Sequence, residues 1–118
     1  FYKIKARDAD FSNADLHDAT FENADLAGSR FVRANLLHTN LKQANLANAD
    51  LSGAMMRTVY LEGAFLRGAN LSAADLRGAT LFGANLQEVQ WQGARLDDAY
   101  WNDGRQCAAD SVGECRSR

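Results

Sequence analysis

Every fifth residue from Phe11 to Trp101 is large and apolar, running through Leu16, Phe21, Leu26 and Phe31 to Trp91, Leu96 and Trp101, nineteen positions in all. Two residues before each comes Ala in fifteen of the nineteen units, the others being Ser29, Thr39, Val59 and Val89. The position between these two columns is often Asp or Asn, as in Ala14-Asp15-Leu16 and Ala74-Asp75-Leu76. The repeat runs from Ala9 to Asp103 without an insertion.

A period of five fits no single regular element. A helix of 3.6 residues per turn would smear the large residues around its circumference, and a strand of period 2 would send consecutive ones to opposite faces. Five residues do make one side of a coil, a short extended piece followed by a corner. Within that piece the large residue and the Ala two before it point the same way, inward. Seven of the nine glycines, among them Gly28, Gly53 and Gly68, fall two residues after the large one, where a corner needs positive φ.

This pattern resembles the pentapeptide-repeat family, whose consensus is A(D/N)Lxx. The resemblance implies an all-β fold, a right-handed quadrilateral parallel β-helix with four pentapeptides per coil. Nineteen units then make nearly five coils, roughly 23 Å long at ~4.8 Å per step. The expected organisation is a frayed coil start over 1–8, the β-helix over 9–103 and a capping tail over 104–118. With four sides, residues twenty apart stack. One interior column is then Phe11, Phe31, Leu51, Leu71 and Trp91, and the opposite one Phe21, Leu41, Leu61, Leu81 and Trp101. The tryptophans belong at the end of the stack, where no further coil limits their bulk. Outside, Asp10, Arg30 and Asp50 alternate in sign, as do Glu22, Lys42 and Glu62, which favours the in-register stack.

The outward pattern breaks in the third coil. Met55, Tyr60 and Phe65 replace the usual Asp or Asn on three successive sides, and Phe82 and Tyr100 share a side with Tyr60. Exposed aromatic groups of this kind mark contacts, so Tyr60, Phe82 and Tyr100, with Met55 and Phe65 around them, are the candidate interaction surface. Scattered, tolerated surface hydrophobes are the plainer reading.

Beyond Asp103 the repeat gives way to a segment holding Cys107 and Cys115. A disulfide between them would staple a cap over the open end of the solenoid, and it would persist in an oxidising compartment: a periplasm, a thylakoid lumen or the exterior. Two free thiols in a cytoplasmic protein are the alternative. The chain opens on Phe1 with no export signal in view, which fits either a removed targeting segment or a domain of a longer protein.

Composition narrows the function classes. Thirteen basic and fifteen acidic residues give a net charge of −2, which points to no nucleic-acid partner, and no apolar run suits membrane insertion. No phosphate loop, nucleophile elbow or metalloprotease motif occurs, and only His17 and His38 could join the cysteines at a metal. No catalytic residue, cofactor or metal is therefore assigned. The expected function is a non-enzymatic structural or protein-interaction module, with an unknown protein partner or self-association. The family resemblance supplies a second reading, a DNA-mimicking, gyrase-binding protein as in members that confer quinolone resistance. Mimicry needs continuous acidic stripes, whereas here the acidity is concentrated in Asp8, Asp10, Asp15, Asp18, Glu22 and Asp25, which circle the first coil and a little before it.

Overall fold

The backbone amides of one pentapeptide explain the five-residue rhythm. In the unit around Leu61, Tyr60 N–H donates to the Thr39 carbonyl of the preceding coil at 3.0 Å. Leu61 and Gly63 donate to Thr80 and Phe82 of the following coil at 2.8 and 2.9 Å, and Ala64 closes the corner on the Leu61 carbonyl at 3.0 Å. The fifth amide, directly after the large residue, lies outside this ladder. In most units the preceding polar side chain takes it: Asn40 accepts from Lys42 N–H at 3.0 Å, Asn45 from Ala47 at 3.1 Å and Asp50 from Ser52 at 3.0 Å. Asp and Asn recur at that position because each satisfies a backbone donor that would otherwise depend on water.

The computed structural model describes residues 1–117. It is an all-β solenoid in which single-residue parallel bridges join positions twenty apart, from Lys5 with Asp25 to Thr80 with Tyr100. Each circuit therefore takes four pentapeptides. Four faces result, named here by one inward leucine each: the Leu61, Leu66, Leu71 and Leu76 faces. The molecule measures 37 × 26 × 24 Å.

The third residue of each corner has positive φ, as a type II turn requires, at every fifth residue from Lys3 to Asp98. Glycine occupies seven of these corners without steric cost, whereas Ala73, at φ 59°, occupies one against its preference.

Leu, Ala and Met side chains fill the interior, and the mid-column residues Leu41, Leu61 and Leu81 are wholly buried. Phe1 stacks on Phe21 at 4.9 Å and Phe11 on Phe31 at 5.0 Å between ring centroids, as residues in one column one coil apart should. Ser29 and Thr39 replace Ala inside, and their hydroxyls donate to the Ala6 and Leu16 carbonyls at 2.8 and 2.9 Å, so neither hydroxyl is stranded. Trp91 and Trp101 meet at 5.2 Å at the C-terminal end of their columns, half-buried.

Two outer details concern the first coil and the charge ladders. Within residues 1–8, Lys3, Ala6 and Asp8 donate to Glu22, Asp25 and Ala27 at 3.0, 2.8 and 3.0 Å. The backbone ladder holds this coil although Ala6 is small. Of the two charge ladders, Lys42 reaches Glu62 at 3.8 Å. Among the described residues the Asp10–Arg30–Asp50 column forms no ion pair within 4.0 Å; Asp10 and Asp50 accept the Ser12 and Ser52 amides at 2.9 and 3.0 Å.

The tail after Asp103 runs back across the last coil. Its bridges are antiparallel, Arg95 with Val112 and Tyr100 with Gln106. Cys107 and Cys115 form a disulfide with their Cα atoms 5.0 Å apart. Cys107 N–H donates to Ala99 at 2.8 Å, Leu96 to Ser111 at 2.8 Å and Gly113 to Ala94 at 2.9 Å. The tail thus takes up backbone groups that a further coil would otherwise pair.

Candidate interaction surface

Met55, Tyr60 and Phe65 stand at the position whose usual occupant accepts the fifth amide. Met55 and Phe65 have no oxygen to offer, and the Tyr60 hydroxyl lies at the far end of its ring. Their units forgo a hydrogen bond worth about 0.5–1.5 kcal/mol net, and the replacement leaves apolar area in water. Exposure is 50% for Met55, 41% for Tyr60 and 54% for Phe65.

Backbone bridges place Tyr60, Thr80 and Tyr100 in one column on the Leu61 face. Two steps of ~4.8 Å separate the two tyrosines along the axis. Phe82 lies beside that column and meets Tyr100 at 5.6 Å between centroids, tilted 45°. Phe82 and Tyr100 are exposed to 41% and 40%. Met55 and Phe65 lie on the flanking Leu76 and Leu66 faces, so no flat partner meets all five side chains together. A sixth residue joins the surface, Lys42, which the sequence placed only in a charge ladder. The Lys42 ammonium sits 5.4 Å from the Tyr60 ring centroid while also facing Glu62. Its position eighteen before Tyr60, one coil up on the same face, is the signal that could have found it.

Elsewhere the outer faces carry local ion pairs. The Asp15 carboxylate lies 2.6 Å from His17 Nδ1, which holds the Asp15 pKa down and the His17 pKa up. Arg77 grips Asp75 with two bonds of 2.8 and 2.7 Å, which lowers the Asp75 pKa. The Asp97 carboxyl is held below its usual range chiefly by accepting the Asp110 N–H at 3.0 Å, which ties the tail to the last coil. Among the described residues no three His, Cys, Asp or Glu side chains converge as metal ligands would, and no helix is long and apolar enough to cross a membrane.

A solenoid of five-residue sides with Ala and Leu inward, Asp or Asn before the Leu and positive φ two residues after it defines a repeat-built β-helix. The model of the pentapeptide repeat region matches residues 14–91, and the chain belongs to the pentapeptide repeat family. Among solved structures, a pentapeptide repeat protein from the thylakoid lumen of Arabidopsis thaliana is 30% identical with a TM-score of 0.84, over 86% of this chain and 71% of that one. HetL, a pentapeptide repeat protein involved in heterocyst differentiation regulation in the cyanobacterium Nostoc sp. strain PCC 7120, is 30% identical with a TM-score of 0.81, over 86% of this chain and 43% of that one. A pentapeptide repeat protein from the cyanobacterium Cyanothece 51142 is 32% identical with a TM-score of 0.57, over 83% of this chain and 84% of that one. No curated protein matches the chain.

Proposed function

We propose that the protein is a non-enzymatic interaction module whose rigid solenoid presents Tyr60, Phe82 and Tyr100 to a protein partner or to a second copy of itself, with Met55 and Phe65 as further contacts. The observation that carries this reading is the exchange at 55, 60 and 65. There an amide-capping side chain has given way to an exposed apolar one, at a cost in backbone satisfaction and with no gain inside the core. Aromatic groups are also the side chains most enriched at interface centres. In this reading the scaffold is a right-handed β-helix of nearly five coils over 9–103, with 1–8 opening the first coil. The bridged tail over 104–118, of which residue 118 lies outside the described residues, caps the end.

The disulfide, and the lumenal origin of one similar structure, support an extracytoplasmic site of action: periplasm, thylakoid lumen or exterior. A DNA-mimicking role at gyrase has less support, since six of the fifteen acidic side chains ring the first coil and the segment from 26 to 74 carries five basic residues against two acidic.

The test is sedimentation over a wide concentration range together with co-purification from the natural host, comparing wild type with Tyr60→Asn/Phe82→Ser. Loss of a higher-mass species or of a specific partner in the double variant is expected. Unchanged mass and an unchanged partner list would reduce these aromatics to tolerated surface.

A further inference from the structure

The Leu66 face carries a shallow groove of about 360 Å³ lined by Asn45, Ala47, Phe65, Arg67 and Asn85. Its chemistry is one-sided. Asn45 and Asn85 stand directly before and after Phe65 in one bridged column. Each commits its Oδ1 to a backbone amide, Asn45 to Ala47 and Asn85 to Gln87, both at 3.1 Å. Fixing the oxygens in this way turns both side-chain NH2 groups away from the backbone, one on each side of the exposed phenyl ring. Arg67 adds a guanidinium two residues after Phe65. The polar side-chain groups available to a ligand are therefore donors, and one of them is cationic. Ala47, with only a methyl group, leaves the floor of the groove low.

Among the described residues Arg67 has one competing partner. Its Nη2 lies 3.4 Å from Glu88 Oε1, with the two side chains exposed to 61% and 69%. A pair so solvated is held weakly and exchanges readily for another carboxylate.

We propose that this groove binds an extended acidic peptide segment of a partner protein, placing a carboxylate on the Asn45, Asn85 and Arg67 donors and a neighbouring apolar side chain on Phe65. Charge complementarity selects the occupant. The groove's own charge is the Arg67 guanidinium; the other basic residues of the middle coils, Arg30, Arg33, Lys42 and Arg57, lie on the other three faces. A nucleic-acid backbone fits less well, because one cation beside a bare phenyl ring cannot neutralise a run of phosphates. A small carboxylate would be covered on one side only, too little for a pocket ligand, whereas a peptide extends its contact along the face.

The proposal rests on the reading of the third-coil apolar side chains as contact residues, and it adds the chemistry of what they meet. The probe is a blocked hexapeptide, Ser-Leu-Glu-Phe-Ser-Gly, titrated to millimolar concentration against its Glu→Gln copy. The readout is the side-chain resonances of Asn45, Asn85 and Arg67. The Glu peptide is expected to move all three and to bind about fivefold more tightly than the Gln peptide, with the difference shrinking as salt is added. Phe65→Asn restores the usual amide cap, so the protein stays folded, and it should abolish the shifts. Equal binding of the two peptides, shifts centred on Tyr60 instead, or no shifts at all would each overturn the proposal. The two readings fail separately. A silent groove beside a partner lost in Tyr60→Asn/Phe82→Ser removes only this inference, whereas an unchanged partner list in that variant removes the Tyr60 contact and leaves the peptide result to stand.

Discussion

Placing asparagine at 60 and at 61 applies one change to two adjacent residues with opposite surroundings. Leu61 is wholly buried between Leu41 and Leu81 in its column. Leu61→Asn forfeits about 1.5–3 kcal/mol of apolar burial. It also strands an amide inside a column of hydrocarbon, adding about 1–3 kcal/mol. Together these take a large part of the stability a domain of this size holds. Tyr60→Asn sets two small effects against each other. The new side chain regains the cap on the Glu62 amide, as Asn40 caps Lys42 at 3.0 Å, a gain of about 0.5–1.5 kcal/mol. Against this stand the loss of the Lys42 contact, about 0.5–1 kcal/mol at an exposed site, and the loss of the covered part of the ring. The balance is a change of no more than about 1 kcal/mol. Urea unfolding followed by tryptophan fluorescence should show the Leu61→Asn midpoint lowered by about 1.5 M or more and the Tyr60→Asn midpoint close to wild type. Equal displacement of both midpoints would refute the register, and with it the claim that Tyr60 is spared by the fold.

Three further outcomes follow from the same geometry. Ala73→Gly should stabilise the protein by about 1 kcal/mol and Gly68→Ala should destabilise it by at least as much, measured as thermal midpoints, since both corners require positive φ and a Cβ at Gly68 would press on Asn48 Oδ1. Replacing both cysteines by serine should cost about 2–3 kcal/mol from the freed eight-residue separation, with a non-reduced digest of exported protein giving the Cys107–Cys115 cross-linked peptide and two freely alkylated thiols counting against the bridge. Asp97, whose carboxyl is held below its usual range, supports the tail at pH values above that range and loses the contribution as pH falls through its folded value. Exchange protection of the Leu96 and Gly113 amides should therefore weaken in acid in the wild type and lose that dependence in Asp97→Asn.

The inward columns were legible along the chain because the side chains at 11, 16, 21 and onward obey one period with no exception. Glycine at the corners was legible for the same reason. Five residues per side do not dictate the number of sides, and the count of four came from family resemblance. The Phe1–Phe21 and Phe11–Phe31 stacks express that count physically. Ala6 is small in a column of large residues, and side-chain size along the chain says nothing of the backbone bonds that Lys3, Ala6 and Asp8 make. The Asp and Asn before each leucine looked like outward decoration. Their role as caps emerges only when every amide of a unit is assigned a partner. At the surface, Tyr60, Phe82 and Tyr100 stood out by breaking the polar rule, whereas Lys42 obeyed it and was visible only as the partner of Glu62. Its reach over the Tyr60 ring depends on a side-chain path that stacking by twenties does not show.

A photo-reactive benzoylphenylalanine at position 60, compared with the same group at position 50 on the Leu71 face, tests the interaction surface most directly. Irradiated in the natural host, the protein carrying the probe at 60 should yield one discrete cross-linked species, lost when Phe82→Ser is added, while the probe at 50 yields none. Equal cross-linking from both positions, or none from 60, would contradict the assignment of the Tyr60 face as the contact surface.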